Sequence, residues 1–491
     1  MLRRLPLALN VAVIAALVLV STSALGKVKA PTRARKARVT TTRATTANPR
    51  PPSNLVWTDC DDTEFECSTL VVPMDYSHPD GPQITLAIHR RRAVGPKPRI
   101  GVELLLSGPP YAASQSISTE GTNSELDRFD QITIDHRGSG ESSPIRCATS
   151  TDELGLGLFA DLRVPEVEQR ALSAWRVDCL RRAGPLVQFV RVSDAAMDIE
   201  RVRQALNEKQ LSIDSSRYGA AIASVYATLF PTQVRSLVLR EPMDPSRLSR
   251  FLTDVSTRIN SSLDDFLREC SASKCALDGP GGAKIRLDAL ADLLLKNPLP
   301  AEPEKGRGIF TPGALTAFTF ARVVEPAQWP ALARDLDALD HGDRTPIENS
   351  RRIAVLWVHP ITINGGPFWA VACRNGLYPS TRPTVDAAVK EAGTHWFKLG
   401  LHAGLDECLQ WGVTGEAPPP VANALAVKPL ILSQTDDRTW PTMWADNLAD
   451  TMRPAVLYRF NAIARPGCVH DAVVAYLVDL IEPDPIACGT P

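Results

Sequence analysis

The segment from Gln210 to Pro231, QLSIDSSRYGAAIASVYATLFP, constrains the fold more than any other part of the chain. Its first part is a short apolar run with the composition of a buried strand, and its second part has the spacing of a helix. A tight turn at Arg217 separates them, and Gly219 follows two places later. A buried strand that turns directly into a helix is typical of a sheet covered by helices.

The same arrangement is the nucleophile elbow of many hydrolytic enzymes, in which a turn holds the central side chain above the sheet. Such enzymes carry serine at the central position, and this chain carries Arg217 there. A guanidinium stays protonated and cannot attack an acyl carbon. Ser215 and Ser216 lie nearby, but neither has Gly two places downstream, so neither is expected at the exposed tip.

Segments with strand composition alternate with helical segments on both sides of the elbow. The segment SDAAMDIERVRQALN has helical spacing, with Ser193 as its expected N-cap. Before it, residues 55–93 alternate apolar and polar positions around Pro-Asp-Gly turns, as antiparallel edge strands do. The fold class predicted is α/β, with a mostly parallel central sheet. The predicted buried strands are IGVELLL, FDQITI, VRSLVLR, KPLILSQ and AVLYRF.

These patterns divide the chain into five regions. Between residues 247 and 425 helix-like segments are joined by Pro and Gly, which predicts an inserted helical cap. The full division is a signal peptide at 1–26, a basic disordered linker at 27–53, the N-terminal part of the core at 54–246, the cap at 247–425 and the C-terminal part of the core at 426–491.

The N-terminus indicates export. Arg3 and Arg4 precede an apolar run of about 16 residues and a small-residue segment, which is the pattern of a secretory signal peptide. The run is short for a membrane span, so cleavage is favoured over an uncleaved anchor. The expected location is therefore secreted or at the cell surface.

Charge limits the classes of partner. The linker at 27–53 carries eight basic residues and no acidic one, while the remainder after residue 53 holds 44 basic and 55 acidic residues. The acidic body argues against nucleic acid as a partner. The linker is interpreted as a solvated tether, with loose contact to an anionic cell envelope as the alternative.

Ten cysteines fall in the exported part, and an even number there favours disulfides. No CxxC, HExxH or paired His/Cys cluster points to a metal site, and no cofactor is expected. Their order suggests the local pairs Cys60 with Cys67, Cys147 with Cys179, Cys270 with Cys275, Cys373 with Cys408 and Cys468 with Cys488.

Several longer motifs resemble the secreted bacterial tripeptidyl aminopeptidase-like proteins, an α/β-hydrolase family related to proline iminopeptidases. The resemblance covers almost the whole chain after residue 54, and it implies the α/β-hydrolase fold with an inserted helical cap. It is carried by VPMDYSHPDG, FDQITIDHRGSGESSP, DAAMDIERVRQAL, YATLFPTQVRSLVLREPMDP and the final segment with AYLVDL between two cysteines.

The resemblance assigns three catalytic positions. The family's elbow reads Gly-x-Ser-Tyr-Gly, which puts Arg217 at the nucleophile position. The triad acid lies in a Leu-Asp-Pro-x-Thr-Pro turn, a register that gives Asp437, with Asp436 as the neighbouring alternative. The base lies in an Asp-Gly-x-Gly-His turn, whose histidine position holds Arg465.

The oxyanion loop is altered as well. The family writes it Pro-Gly-Gly-Pro-Gly-Gly-Ser, and here residues 107–113 read SGPPYAA. An oxyanion hole needs free backbone N–H groups, which Pro109 lacks, and Tyr111 adds a ring where bare backbone is expected. We take Gly108, Pro109, Tyr111 and Tyr218 as candidate ligand-binding residues.

Arg217 has two interpretations at this point. A helix N-terminus favours negative charge, so Arg217 and Arg465 there could bind a carboxylate or phosphate. Alternatively, Arg465 pairs with Asp437, and Arg217 with Asp436 or a nearby carbonyl, which plugs the site.

The sequence therefore predicts an exported α/β-hydrolase-fold protein without serine-hydrolase chemistry that binds a peptide or an anionic small molecule between core and cap. Two alternatives stay open. One is a repurposed non-hydrolytic enzyme of isomerase, cyclase or lyase type, and the other is residual exopeptidase or esterase activity through another nucleophile.

Overall fold

The computed structural model describes residues 54–60, 65–94, 96–108, 125–147, 166–297, 299–302, 307–310, 312–347, 365–392, 407–422, 424–461 and 467–484. Within them, nine strands form one sheet and two further strands form a separate antiparallel pair. The strands are β1 (Thr58–Asp59), β2 (Glu66–Pro73), β3 (Gln83–Arg91), β4 (Gly101–Leu106), β5 (Phe129–Ile134), β6 (Leu211–Ser216), β7 (Val234–Arg240), β8 (Leu299–Glu302), β9 (Arg307–Phe310), β10 (Leu430–Gln434) and β11 (Val456–Phe460).

The large sheet has the order β1-β2-β3-β5-β4-β6-β7-β10-β11. Its first three strands pair antiparallel and join β5 in the same sense, whereas all pairings from β5 to β11 are parallel. The sequence-based predictions of antiparallel edge strands and of a mostly parallel α/β sheet are therefore confirmed. All five predicted buried strands are present.

Helices cover the sheet and build the region beyond it. In the described ranges they are α1 (Glu166–Ala183), α2 (Val192–Ala205), α3 (Arg217–Leu229), α4 (Phe251–Ser273), α5 (Ala283–Lys296), α6 (Pro312–Val323), α7 (Trp329–Asp340), α8 (Gly365–Arg374), α9 (Arg382–Ala392), α10 (Glu407–Trp411), α11 (Thr442–Thr451) and α12 (Cys468–Asp479).

The two faces of the sheet pack against different helices because side chains alternate along each strand. On one face Leu104 and Ile213 join the core cluster that includes the apolar side chains of α2 and α3. On the other face Phe129 and Val238 pack with Tyr476 and Leu477 of α12. A sheet buried on both faces accounts for the near-continuous apolar runs in its central strands.

The parallel strands β4, β6, β7 and β10 all end at one edge of the sheet. The first residues beyond them are Ser107, Arg217, Glu241 and Thr435. In open α/β sheets, ligands bind outside the carboxyl ends of the strands. The fold therefore brings the elbow and the turn that follows β10 to the same edge.

The helix α2 begins differently from the prediction. Its N-cap is Arg191, and Asp194, rather than Ser193, completes the cap: the Asp194 carboxylate accepts a hydrogen bond from the Arg191 backbone N–H at 3.2 Å. The Arg191 guanidinium also donates to the same carboxylate at 2.7 Å. The Ser193 prediction is wrong because the acidic residue one place later satisfies the cap.

Much of the region predicted as the cap has a core of its own. Helices α4 to α7 bury Phe266, Leu290, Leu315 and Leu336 against one another, and the hairpin of β8 and β9 packs with them through Phe310. This hairpin was not predicted.

The later helices of the predicted cap pack differently. Trp369 of α8 and Trp411 of α10 belong to the main core cluster, where Trp411 meets Trp175 of α1 edge-on at 6.2 Å. This part of the region is therefore packed against the core.

Four of the predicted disulfides are present, joining Cys60 to Cys67, Cys147 to Cys179, Cys270 to Cys275 and Cys373 to Cys408. Cys468 is also disulfide-bonded, while its predicted partner Cys488 lies outside the described residues. The predicted signal peptide and linker, residues 1–53, lie outside as well. Within the described part of the chain, no helix combines the length and hydrophobicity needed to cross a membrane.

Candidate functional site

The elbow between β6 and α3 has the predicted geometry. Arg217 adopts φ = 51°, in the left-handed region that is strained for any residue with a Cβ. Gly219 packs α3 onto β4 so closely that a Cβ there would lie 2.5 Å from the Leu106 carbonyl oxygen. The turn is further fixed by the Met243 N–H, which donates to the Arg217 carbonyl at 3.0 Å. Ser215 is buried and donates to the Val238 carbonyl at 2.8 Å, so its hydroxyl is not at the tip.

The side chain of Arg217 is exposed, and it makes one specific contact with the described residues. Its guanidinium carbon lies 5.0 Å from the ring centroid of Trp440, within the range of a cation–π interaction. Among the described residues it has no hydrogen bond or ion pair, so the predicted contact with Asp436 is not formed there. Its charge is therefore held in place by a ring and is not neutralised by a described carboxylate.

Trp440 belongs to an aromatic cluster that joins the core to the predicted cap. Its ring lies 5.5 Å from that of Trp444 and 6.3 Å from that of Phe251, at the start of α4, which also contacts Tyr378 at 6.3 Å. The Trp440 indole N–H is buried, and none of the described residues accepts a hydrogen bond from it. The surface next to Arg217 is thus aromatic and apolar.

Asp437, the predicted triad acid, lies in the turn after β10. One of its carboxylate oxygens accepts hydrogen bonds from the backbone N–H groups of Thr439 and Trp440, at 2.7 and 2.8 Å. Its carbonyl accepts a hydrogen bond from Arg258 of α4 at 2.8 Å. Asp437 therefore shapes the turn that carries Trp440, and the cap helix α4 holds that turn in place.

Glu241 is a site residue that the sequence analysis missed. It directly follows β7, has φ = 38°, and donates its backbone N–H to the Leu432 carbonyl at 3.0 Å. Burial raises the pKa of its carboxyl; Arg217 opposes this shift and Asp437 adds to it. Within the part of the chain that the structure describes, the carboxyl has no hydrogen-bond partner. The pairing of β6 with β7, which aligns Glu241 with Arg217, is the signal that could have revealed it.

We call Arg217, Glu241, Asp437 and Trp440 the edge site. Next to it, Tyr218 is buried against Gly108, where a Cβ would lie 2.6 Å from the Tyr218 Cβ. Burial raises the pKa of Tyr218 and keeps the phenol neutral.

A histidine, His136, contacts the start of the oxyanion loop at Ser107. The His136 ring nitrogen Nε2 is hydrogen-bonded to the Ser107 carbonyl, and burial lowers the pKa of His136. Its imidazole is therefore neutral at pH 7 and serves to position the loop. Three predicted site residues, Pro109, Tyr111 and Arg465, lie outside the described residues.

Two other features of the described residues, a cluster of two cysteines with a histidine and an open cavity, are weaker candidates for a functional site. Cys60, Cys67 and His89 lie within ligand distance of one another, but the two sulfurs are joined as a disulfide and cannot act as thiolates. An open cavity of about 460 Å³ is lined by residues of β2 and the end of α2, among them Leu70 and Arg201. It includes no residue of the edge site.

Comparison with known proteins agrees with this architecture. A family described as "alpha/beta hydrolase fold" matches residues 113–278, and one described as "TAP-like protein" matches residues 395–488. The tripeptidyl aminopeptidase of Streptomyces lividans is 24% identical over 460 residues, which cover 87% of this chain and 84% of that protein.

Two relatives from Mycobacterium tuberculosis carry other names. A protein named carboxylesterase B is 26% identical over 459 residues, covering 86% of each chain. A protein named serine protease Hip1 is 25% identical over 487 residues, covering 90% of this chain and 92% of that protein.

Proposed function

Because this chain belongs to the tripeptidyl aminopeptidase-like α/β-hydrolases, we propose that it is a member without serine-hydrolase chemistry, whose edge site binds the carboxylate of a peptide or of an anionic small molecule. The observation that carries the proposal is the state of Arg217. It occupies the elbow position, is held over Trp440, and has no described carboxylate to neutralise it.

The first half of the proposal rests on reactivity. Arginine supplies neither a nucleophile nor a general base, and both Arg217 and, by family register, Arg465 replace the residues that would. Loss of a triad nucleophile or base costs on the order of 10⁶ in rate. Loss of one oxyanion donor costs a further factor of about 10² to 10³. The residual rate of acyl transfer is then close to that of the uncatalysed reaction.

The second half rests on electrostatics. Arg217 lies at the first turn of α3, where the unpaired N–H groups of the helix already favour an anion. Trp440 keeps the guanidinium near this turn, so little side-chain entropy is lost when a ligand binds. The plugged alternative requires Arg465 to pair with Asp437, and Arg217 to bond to Asp436 or to a nearby carbonyl. The described contacts of the Arg217 side chain include neither of the last two, which favours the open site.

Export is part of the same proposal. Four disulfides among the described residues support an oxidising compartment. The signal peptide at 1–26 stays a prediction, and the N-terminal sequence of the mature protein tests it.

Reactivity is tested with a fluorophosphonate probe and a tripeptide p-nitroanilide substrate. We expect no labelling of the wild type and no release of nitroaniline above the buffer rate. Arg217→Ser alone should also stay inactive, because the base position and the oxyanion loop remain altered. Labelling of the wild type at a serine, or substantial peptidase activity of Arg217→Ser, would contradict the proposal.

Binding is tested by calorimetry with N-acetyl-Ala-Ala, which carries one carboxylate, and with its C-terminal amide. We expect the wild type to prefer the acid at least tenfold and Arg217→Gln to lose this preference. Arg268→Gln, which removes an exposed arginine on α4, is the matched control and should bind like the wild type. Equal binding of the acid and the amide by the wild type would overturn the anion site.

A further inference from the structure

Arg217 and Glu241 occupy equivalent places at the ends of two neighbouring strands. Ser216 of β6 pairs with Arg240 of β7, and the residue after each strand is Arg217 and Glu241, respectively. Adjacent strands lie about 5 Å apart, so the two backbones leave the sheet side by side. Both residues have positive φ, 51° and 38°, which turns each chain sharply at the edge.

These neighbours are a guanidinium and a carboxyl group, and their side chains do not pair with each other. Burial raises the pKa of the Glu241 carboxyl and Arg217 opposes that shift, so the two groups interact electrostatically. Yet in the described residues neither forms an ion pair or a side-chain hydrogen bond. Asp437 adds a second carboxylate close enough to act on Glu241.

The pair one step inside the sheet behaves in the opposite way. Arg240 donates two hydrogen bonds to Asp214, both at 2.7 Å, in a closed bidentate ion pair. Closed pairs of this kind neutralise themselves. The same two strands thus build a closed arginine–aspartate pair within the sheet and an open arginine–glutamate pair at its edge.

We propose that the open pair is a two-ended binding site for a zwitterion, an amino acid or short peptide whose amino group and carboxylate are both free. This inference rests on the proposed function: Arg217 binds the carboxylate, and Glu241, assisted by Asp437, binds the ammonium group. An ammonium ligand stabilises the ionised form of this half-buried carboxyl group, as an opposite charge does. The apolar ring of Trp440 closes one side of the site.

The test compares Ala-Ala with N-acetyl-Ala-Ala and Ala-Ala amide in calorimetry with the full chain. We expect Ala-Ala to bind at least tenfold more tightly than either blocked form. If N-acetyl-Ala-Ala binds as well as Ala-Ala, the zwitterion site is refuted while the anion site stands. If Ala-Ala amide binds as well as Ala-Ala, or if none of the three binds, both proposals fail.

Single substitutions test which residue binds the ammonium group and which binds the carboxylate. Glu241→Gln should lose the preference for Ala-Ala over N-acetyl-Ala-Ala and keep its affinity for the latter, whereas Arg217→Gln should lose the preference over the amide. Glu241 has no described hydrogen bond to its side chain, so Glu241→Gln should fold, which its melting curve verifies. Asp292→Asn, at an exposed position on α5, is the control and should keep both preferences. An unchanged preference in Glu241→Gln overturns the inference.

Discussion

Arg137 and Arg217 lie in the same core and serve opposite purposes. Arg137 is 2% exposed and donates two hydrogen bonds to Asp198, at 2.7 and 2.6 Å, and others to the carbonyls of Met74 and Phe189 at 2.9 Å. Arg217 is exposed and has an aromatic ring as its one specific side-chain contact among the described residues. One arginine uses its hydrogen-bond donors to join parts of the fold, and the other leaves them available.

The difference identifies which charges belong to the scaffold. A buried arginine must be paired and hydrogen-bonded, since an uncompensated buried charge is costly. A strained residue at the carboxyl edge whose charge is not paired by any described residue has no such structural reason, and strain of this kind clusters at functional sites. Stability should therefore depend strongly on Arg137 and weakly on Arg217, while ligand binding should show the reverse.

The largest predicted effect breaks the scaffold pair. Asp198→Ala leaves Arg137 buried without its carboxylate and also removes the acceptor of the Tyr76 hydroxyl. We expect a loss of about 3 to 5 kcal/mol in the free energy of unfolding, measured in urea.

Two further variants serve as controls for the loss of stability in Asp198→Ala. Arg217→Gln, and Asp450→Asn in the exposed pair with Arg453, should each change stability by less than about 1 kcal/mol. If Arg217→Gln costs as much as Asp198→Ala, Arg217 is a structural residue and the contrast fails.

The elbow and its central residue could be predicted because the signals are local. The apolar run, the turn and Gly219 lie within ten residues of one another, and they specify the strand, the turn and the helix without distant contacts. The paired cysteines were equally accessible, since the four described pairs are neighbours in the order of cysteines along the chain.

Glu241 could not be found in this way. Its place beside Arg217 depends on the register of β6 against β7, which pairs residues more than twenty positions apart. Its local sequence is that of an ordinary loop. The N-cap of α2 was missed because the helix begins after Arg191, whose side chain donates hydrogen bonds to Asp194, and an arginine is not a usual N-cap residue. The hairpin of β8 and β9 is too short to show the period-2 alternation of a strand.

Glu103 is buried like Arg137 but has fewer hydrogen-bond partners, so it tests how much an ionisable group in the core changes stability. It is 1% exposed and accepts one hydrogen bond from Gln131 at 2.9 Å. Burial, and then the charge of Asp214, raises the pKa of Glu103 to about 7. In the unfolded chain the carboxyl of Glu103 has a pKa near 4.3, so the folded protein binds this proton more tightly. The proton therefore stabilises the fold, and this stabilisation is lost as the pH rises through 7.

We therefore expect Glu103→Gln to be more stable than the wild type at pH 8, by at most about 4 kcal/mol. The advantage should shrink as the pH falls and vanish near pH 4, where the carboxyl is protonated in both states. Urea unfolding at a series of pH values measures it, with Glu141→Gln, an exposed glutamate, as control. A difference independent of pH would show that packing, and not ionisation, separates the two proteins.

The smallest predicted effect concerns the backbone of the elbow. In an ordinary helix alanine is more stable than glycine by about 1 kcal/mol. At Arg217 the order should reverse, because φ = 51° suits glycine and strains alanine by about 1 kcal/mol. We expect Arg217→Gly to be more stable than Arg217→Ala, whereas at the exposed helical position of Arg268 the alanine variant should be the more stable. Both variants at each site lose the same charge, so the comparison isolates the backbone term. The same order at both positions would mean that the elbow relaxes without its arginine, and that the strain at Arg217 is not imposed by the fold.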